Sequence, residues 1–110
     1  MYYIRKTFEI SAAHSLKLDY KSKCNKLHGH NWIINIYCKA EELDENGMVT
    51  DFTLINEQIK RILDHQNLNE ILDFNPTAEN IARWIVDGVR NCYMAEVQES
   101  EGNLAIYERD

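Results

Sequence analysis

Three of the four histidines in this 110-residue chain fall where a single metal ion could gather them. His28-Gly29-His30 sets two imidazoles two residues apart, so in an extended segment both project from one face. His14 closes the preceding alternating segment, which an antiparallel hairpin would lay alongside. Three neutral nitrogen donors with no obvious fourth suit a catalytic zinc site, where the remaining position is left to water or substrate. Taken singly, each histidine reads as an ordinary core or surface residue of a strand. A His-Gly-His on one apolar parity, with a third His on the apolar parity of the adjoining strand, favours the metal.

Cys24 precedes His28 by four residues. It is either a fourth ligand that closes a structural site or a free thiol beside an open one. Lys21, Lys23 and Lys26, with a dication nearby, would lower its pKa and favour the thiolate needed for proton abstraction. Cys38 and Cys92 lie on apolar parities and read as buried filler. Asp64-His65 closes a helical segment and offers a carboxylate-imidazole pair, or simply a helix-end histidine. Glu99 shares parity with Val97 and Ala95. It either escapes at the strand end or points inward, where it needs a partner such as adjacent N–H donors of a ligand.

The elements that must position these groups can be read from periodicity. Ile4, Phe8, Ile10, Ala12 and His14 alternate with Arg5, Thr7, Glu9 and Ser11, the pattern of a half-buried strand. From about His28 to Glu41 a second strand sets His28, His30, Trp32, Ile34, Ile36, Cys38 and Ala40 on one parity. Asn46-Gly47 marks a turn. Asp51 can cap a helix with apolar positions Phe52, Ile55, Ile59, Ile62 and Leu63, and Asn75-Pro76-Thr77 opens another with Ile81, Trp84, Ile85, Val89 and Cys92. Strands at Ala95–Glu99 and Leu104–Glu108 end the chain. The order predicts an α+β layer pair: a four-stranded antiparallel sheet with both helices on its apolar face.

Composition bounds the function. At 110 residues, 45% hydrophobic and 27% charged, the chain is expected to form one globular domain over 1–110. A core of this size would be supplemented by self-association. The net charge of −6 argues against nucleic acid as partner. No apolar run is long enough to cross a membrane, and the opening residues lack the order of a signal peptide, which implies a cytoplasmic protein. An odd number of cysteines argues against a disulfide framework.

Five motifs now stand in order: Phe8-Glu9-Ile10-Ser11-Ala12-Ala13-His14, Cys24-x-x-x-His28-Gly29-His30, Leu63-Asp64-His65-x-x-Leu68-Asn69, Asn75-Pro76-Thr77-x-Glu79-Asn80 and Val97-x-Glu99. Together they resemble the 6-pyruvoyltetrahydropterin synthase family over nearly the whole chain. The short gap between Cys24 and His28 is similar to the branch that makes 6-carboxy-5,6,7,8-tetrahydropterin in the queuosine pathway. The resemblance implies the T-fold, zinc on His14, His28 and His30, and Cys24 as proton acceptor, not ligand. It also implies a relay through Asp64 and His65, a pterin held by Glu99 in a pocket lined by Thr77, and a hexamer of two stacked trimers with barrel-forming sheets. The implied substrate is 7,8-dihydroneopterin triphosphate, cleaved with release of acetaldehyde and triphosphate. Elimination of triphosphate with the side-chain carbons kept is the alternative, and a non-catalytic zinc-stabilised module is the third reading. Four lysines between Lys17 and Lys26, in an otherwise acidic chain, suggest point charges for the triphosphate; the competing reading is a solvated mobile loop.

Overall fold

Strict alternation of side chains produces a long first hairpin. In the computed structural model, which describes residues 1–110, β1 (Tyr2–His14) and β2 (His28–Ala40) pair antiparallel over 13 residues each. The register runs from Tyr2 opposite Ala40 to His14 opposite His28. Phe8, Ile10, Ala12 and His14 from β1, with Trp32, Ile34, Ile36 and Cys38 from β2, are buried on the same side of the sheet. The intervening residues stay largely exposed. The parity reading therefore holds along both strands.

The turn at Asn46-Gly47 forms as expected, with Gly47 at φ 78, a conformation cheap only for glycine. Helix α1 spans 52–63, and Asp51 caps it by accepting from the Thr53 amide at 2.8 Å. Its middle turn, Asn56–Lys60, is π-helical. That wider turn shifts the phase, so Ile55, Ile59 and Leu63 are buried while Phe52 and Ile62 remain exposed. The chain then makes a two-residue strand, β3 (Gln66–Asn67), parallel to Ala12 and Ala13 of β1, and a short helix, α2 (Leu68–Ile71). Helix α3 (Ala78–Gly88) starts at Thr77, whose hydroxyl accepts from the Asn80 amide at 3.1 Å.

Strands β4 (Cys92–Ser100) and β5 (Asn103–Glu108) complete a five-stranded sheet in the order β3-β1-β2-β4-β5. The expectation of four antiparallel strands is thus corrected by one strand, and the added one is parallel. Cys92 is also corrected: it begins β4 opposite Cys38 and is not part of the helical stripe. Its burial, however, is as expected. Ile81, Ala82, Ile85 and Val86 of α3 join the α1 residues over the same face of the sheet, giving one continuous core. This is the α+β layer pair that the periodicity implied.

Candidate metal centre

The hairpin register alone brings the three histidines together. His14 and His28 are cross-strand partners at the open end of the β1–β2 ladder, and His30 faces the same way two residues along β2. One nitrogen from each lies within 4.8 Å of the others. Trp32 forms the floor, its ring edge-on to His14 at 4.8 Å and to His30 at 5.5 Å between centroids. Its indole N–H donates to the Ala12 carbonyl at 3.1 Å, which satisfies the only polar atom the ring would bury.

Backbone carbonyls fix the tautomers. His14 Nδ1 lies 2.8 Å from the Pro76 oxygen and His28 Nδ1 lies 2.7 Å from the Lys26 oxygen. A carbonyl only accepts, so both Nδ1 atoms carry the proton and both Nε2 lone pairs are free. His14 Nε2 and His30 Nε2 are buried and have no hydrogen-bond partner. Two orphaned imidazole nitrogens beside a third are costly as a purely structural arrangement and fit a divalent ion of nitrogen preference such as zinc. Burial pushes the pKa of His14 below the usual imidazole value, against the opposing pull of the Pro76 carbonyl and Glu99. Burial also lowers His30, again opposed by Glu99. Both are therefore held in the neutral form that binds metal.

Glu99 points inward. Its carboxylate oxygens stand 3.4 Å from His30 Nε2 and 3.7 Å from His14 Nε2. The parity with Val97 and Ala95 is kept, although β4 slips register against β5 between Gln98 and Ser100. Glu99 also lines a cavity of about 380 Å³ with Ala78, Glu79, Gly102 and Asn103.

Cys24 sits in a single 3-10 turn, Lys23–Asn25, capped by Ser22. It is not a member of the three-histidine group, which favours the free thiol over the fourth ligand. Its own hydrogen bonds are through the backbone: the amide donates to Ser22 Oγ at 3.2 Å and the carbonyl accepts from Leu16 at 2.8 Å. Cys38 and Cys92 are fully and almost fully buried. A hydrogen bond from Cys92, followed by burial, pushes the Cys38 thiol up. Cys24 is thus the one accessible thiol.

Asp64 and His65 are joined to the other side of β1. Asp64 Oδ1 accepts from the Ser11 amide at 2.9 Å, and the His65 amide donates to the Ser11 carbonyl at 2.6 Å. The Ser11 amide, with help from His65, holds the Asp64 carboxyl below its ordinary pKa, burial opposing. His65 adopts φ 61 and its Nδ1 lies 3.0 Å from Asp64, yet its side chain is 81% exposed. It lines a cavity of about 600 Å³ with Ser11, Ala13, Gly29, His30 and Asn31. Within one chain, neither residue bonds to Cys24. The hydroxyl of Thr77 serves as a helix cap, so its one observed role is structural. Sequence reasoning missed the carbonyls of Pro76 and Lys26, which orient His14 and His28; backbone acceptors carry no side-chain signature.

The family model for 6-pyruvoyl tetrahydropterin synthase matches residues 3–110. A 6-carboxy-5,6,7,8-tetrahydropterin synthase of Synechocystis sp. is 36% identical, covering 97% of this chain and 93% of that protein. The enzyme of the same description from Bacillus subtilis is 28% identical, covering 94% and 83%. A dihydroneopterin monophosphate aldolase of Pyrococcus furiosus is 36% identical, covering 79% and 74%. Among solved structures, that of Caenorhabditis elegans 6-pyruvoyl tetrahydropterin synthase superimposes with a TM-score of 0.77 at 24% identity, covering 99% of this chain and 96% of that one.

Proposed function

The chain belongs to the 6-pyruvoyl tetrahydropterin synthase family, and from that premise we propose that it is a zinc-dependent 6-carboxy-5,6,7,8-tetrahydropterin synthase acting on 7,8-dihydroneopterin triphosphate. The observation that carries the proposal is the pair of orphaned, buried Nε2 atoms on His14 and His30, with Glu99 facing them. His14, His28 and His30 would hold the zinc, which when bound supplies Lewis-acid polarisation of the substrate's side-chain hydroxyls.

The chain's own groups have separable tasks. Glu99 is an acceptor-only carboxylate, suited to the adjacent N–H donors of the pterin's amino-pyrimidinone edge. Its place against the histidines would set the side chain of a bound pterin over them. Cys24 takes the proton from the side chain. His65 receives it and is oriented for that by Asp64. Thr77 borders the pterin pocket through its neighbours Ala78 and Glu79, which line the Glu99 cavity. Lys21, Lys23 and Lys26 neutralise the triphosphate. No lysine of this loop is committed to an ion pair. The assembly is a hexamer of two trimers, each trimer closing its sheets into a barrel, and the whole chain acts as one domain in a cytoplasmic enzyme.

Identifying the products of the zinc-loaded protein tests the reading. Incubation with dihydroneopterin triphosphate should yield acetaldehyde and 6-carboxytetrahydropterin. Triphosphate release without acetaldehyde would point to the elimination enzyme instead. The Pyrococcus relative supports a second reading, aldolase cleavage of a monophosphate substrate, so the monophosphate belongs in the same assay. Cys24→Ala should keep zinc and thermal stability and lose turnover; loss of zinc would return Cys24 to the ligand set and favour the non-catalytic module. Replacing Lys21, Lys23 and Lys26 with Ala should raise KM for the triphosphate, and unchanged kinetics would sink their role.

A further inference from the structure

Two asparagines from the sequence motifs have so far been given no task. The segment leaving β1 has no strand beside it, because β3 ends at Asn67, and side-chain amides take the place of the missing strand. The Ser15 amide donates to Asn69 Oδ1 at 2.8 Å and Asn69 Nδ2 donates to the Ser15 carbonyl at 2.8 Å. Two residues on, the Lys17 amide donates to Asn75 Oδ1 at 2.9 Å and Asn75 Nδ2 donates to the Lys17 carbonyl at 3.1 Å. Each asparagine thus satisfies both backbone groups of one residue, as a strand neighbour would. Between them, the Leu16 amide turns the opposite way and donates to the Cys24 carbonyl.

The clamps are themselves held. Asn67 caps α2 by accepting from the Asn69 amide at 3.1 Å. The Asn75 carbonyl accepts from Asn80 Nδ2 at 3.0 Å and from the Thr77 amide at 2.8 Å. Pro76, the next residue, presents the carbonyl that orients His14. One connected set of bonds therefore runs from the start of α3 to a histidine of the metal centre and to the turn that carries Cys24.

We propose that Asn69 and Asn75 are positioning residues that fix the Cys24 turn relative to the histidine cluster, through Ser15, Lys17 and the Leu16–Cys24 bond. The inference rests on the reading of Cys24 as the working thiol. Only an amide fits both roles. A carboxylate would face the Ser15 or Lys17 carbonyl with a second acceptor, and alanine would leave both backbone groups unpaired. Because the thiol itself makes no bond to the cluster, its placement depends on these backbone links.

Three measurements test this on the zinc-loaded protein. In the wild type, the Ser15, Leu16 and Lys17 amides should exchange with solvent at least about tenfold more slowly than those of Tyr20 and Lys21. In Asn69→Ala and Asn75→Ala, kcat should fall about 10- to 100-fold, with zinc content and KM nearly unchanged. In the same variants, iodoacetamide should alkylate Cys24 at least about fivefold faster, read by peptide mass spectrometry. Unprotected amides in the wild type, or an unchanged alkylation rate in folded variants, would overturn the clamp. A kcat loss matched by an equal loss of folded protein would also overturn it. If the wild type turns over no pterin, the functional reading fails, while exchange and alkylation still decide the clamp.

Discussion

His14 is the most constrained side chain of the site: fully buried, one nitrogen bonded to a carbonyl and the other without a partner. His14→Ala should lower zinc affinity by about 100-fold or more, measured by competition with a chromophoric chelator. Burial depresses His14 and His30 below 6.5, and a ligand must shed its proton to bind metal. Zinc affinity should therefore persist below pH 6.5 and fall only as the lowered folded-state values are crossed. A midpoint above 6.5 would contradict this. Asp64 titrates in the opposite sense to a group stabilised by gaining a proton. Its folded pKa lies below the ordinary 3.8, so its stabilising contribution is full above that value and is lost as pH falls through the folded pKa. Asn at this position can still accept from Ser11 but carries no charge. Asp64→Asn should lower the melting temperature at pH 7, and the gap to wild type should close in acid; a gap independent of pH would exclude the charge as its source.

Thr77 decides how α3 begins, and α3 sets Pro76 and Asn75 where the site needs them. Losing the cap in Thr77→Ala should cost about 1 kcal/mol, while Thr77→Ser should cost far less, both measured by urea denaturation. If Thr77→Ala instead leaves stability intact and raises KM, the hydroxyl serves the substrate and not the helix. What the sequence made legible at this scale follows from periodicity. Alternation over 13 residues in each of two strands fixes which residues share a face, so the histidine cluster and the inward direction of Glu99 could be anticipated. A two-residue strand such as Gln66–Asn67 has no period to detect, and β3 went unseen. The π turn at Asn56–Lys60 displaces Phe52 and Ile62 from the core without a compositional mark. The Asn69 and Asn75 clamps join residues 54 and 58 positions apart through side chain to backbone. Such bonds depend on tertiary placement alone, so the motifs flagged the asparagines without revealing their partners.

The whole molecule is elongated, 50 × 27 × 25 Å, because its longest hairpin runs its full length. Both edges of the sheet are open: β5 ends it on one side, and β3 covers β1 only at Ala12 and Ala13. Open edges of this length are normally paired or blocked, and edge-to-edge pairing of copies would continue the sheet toward the proposed barrel. Asp64 and His65 are bonded to Ser11, next to the uncovered stretch of β1, and His65 projects into solvent without touching its own Cys24. An added copy at that edge would bring a second chain to His65. The expectation is that Cys24 of one subunit works with His65 of its neighbour. Cys24→Ala and His65→Ala should each be inactive alone. Dissociated, mixed one to one and reassembled, they should regain about a quarter of wild-type activity, because random closed-ring assembly gives about one boundary in four both intact residues. If both residues act within one chain, every subunit in the mixture lacks one of them, and no activity returns. Sedimentation of the mixture checks that reassembly has occurred, so a null result counts against the shared site and not against the mixing.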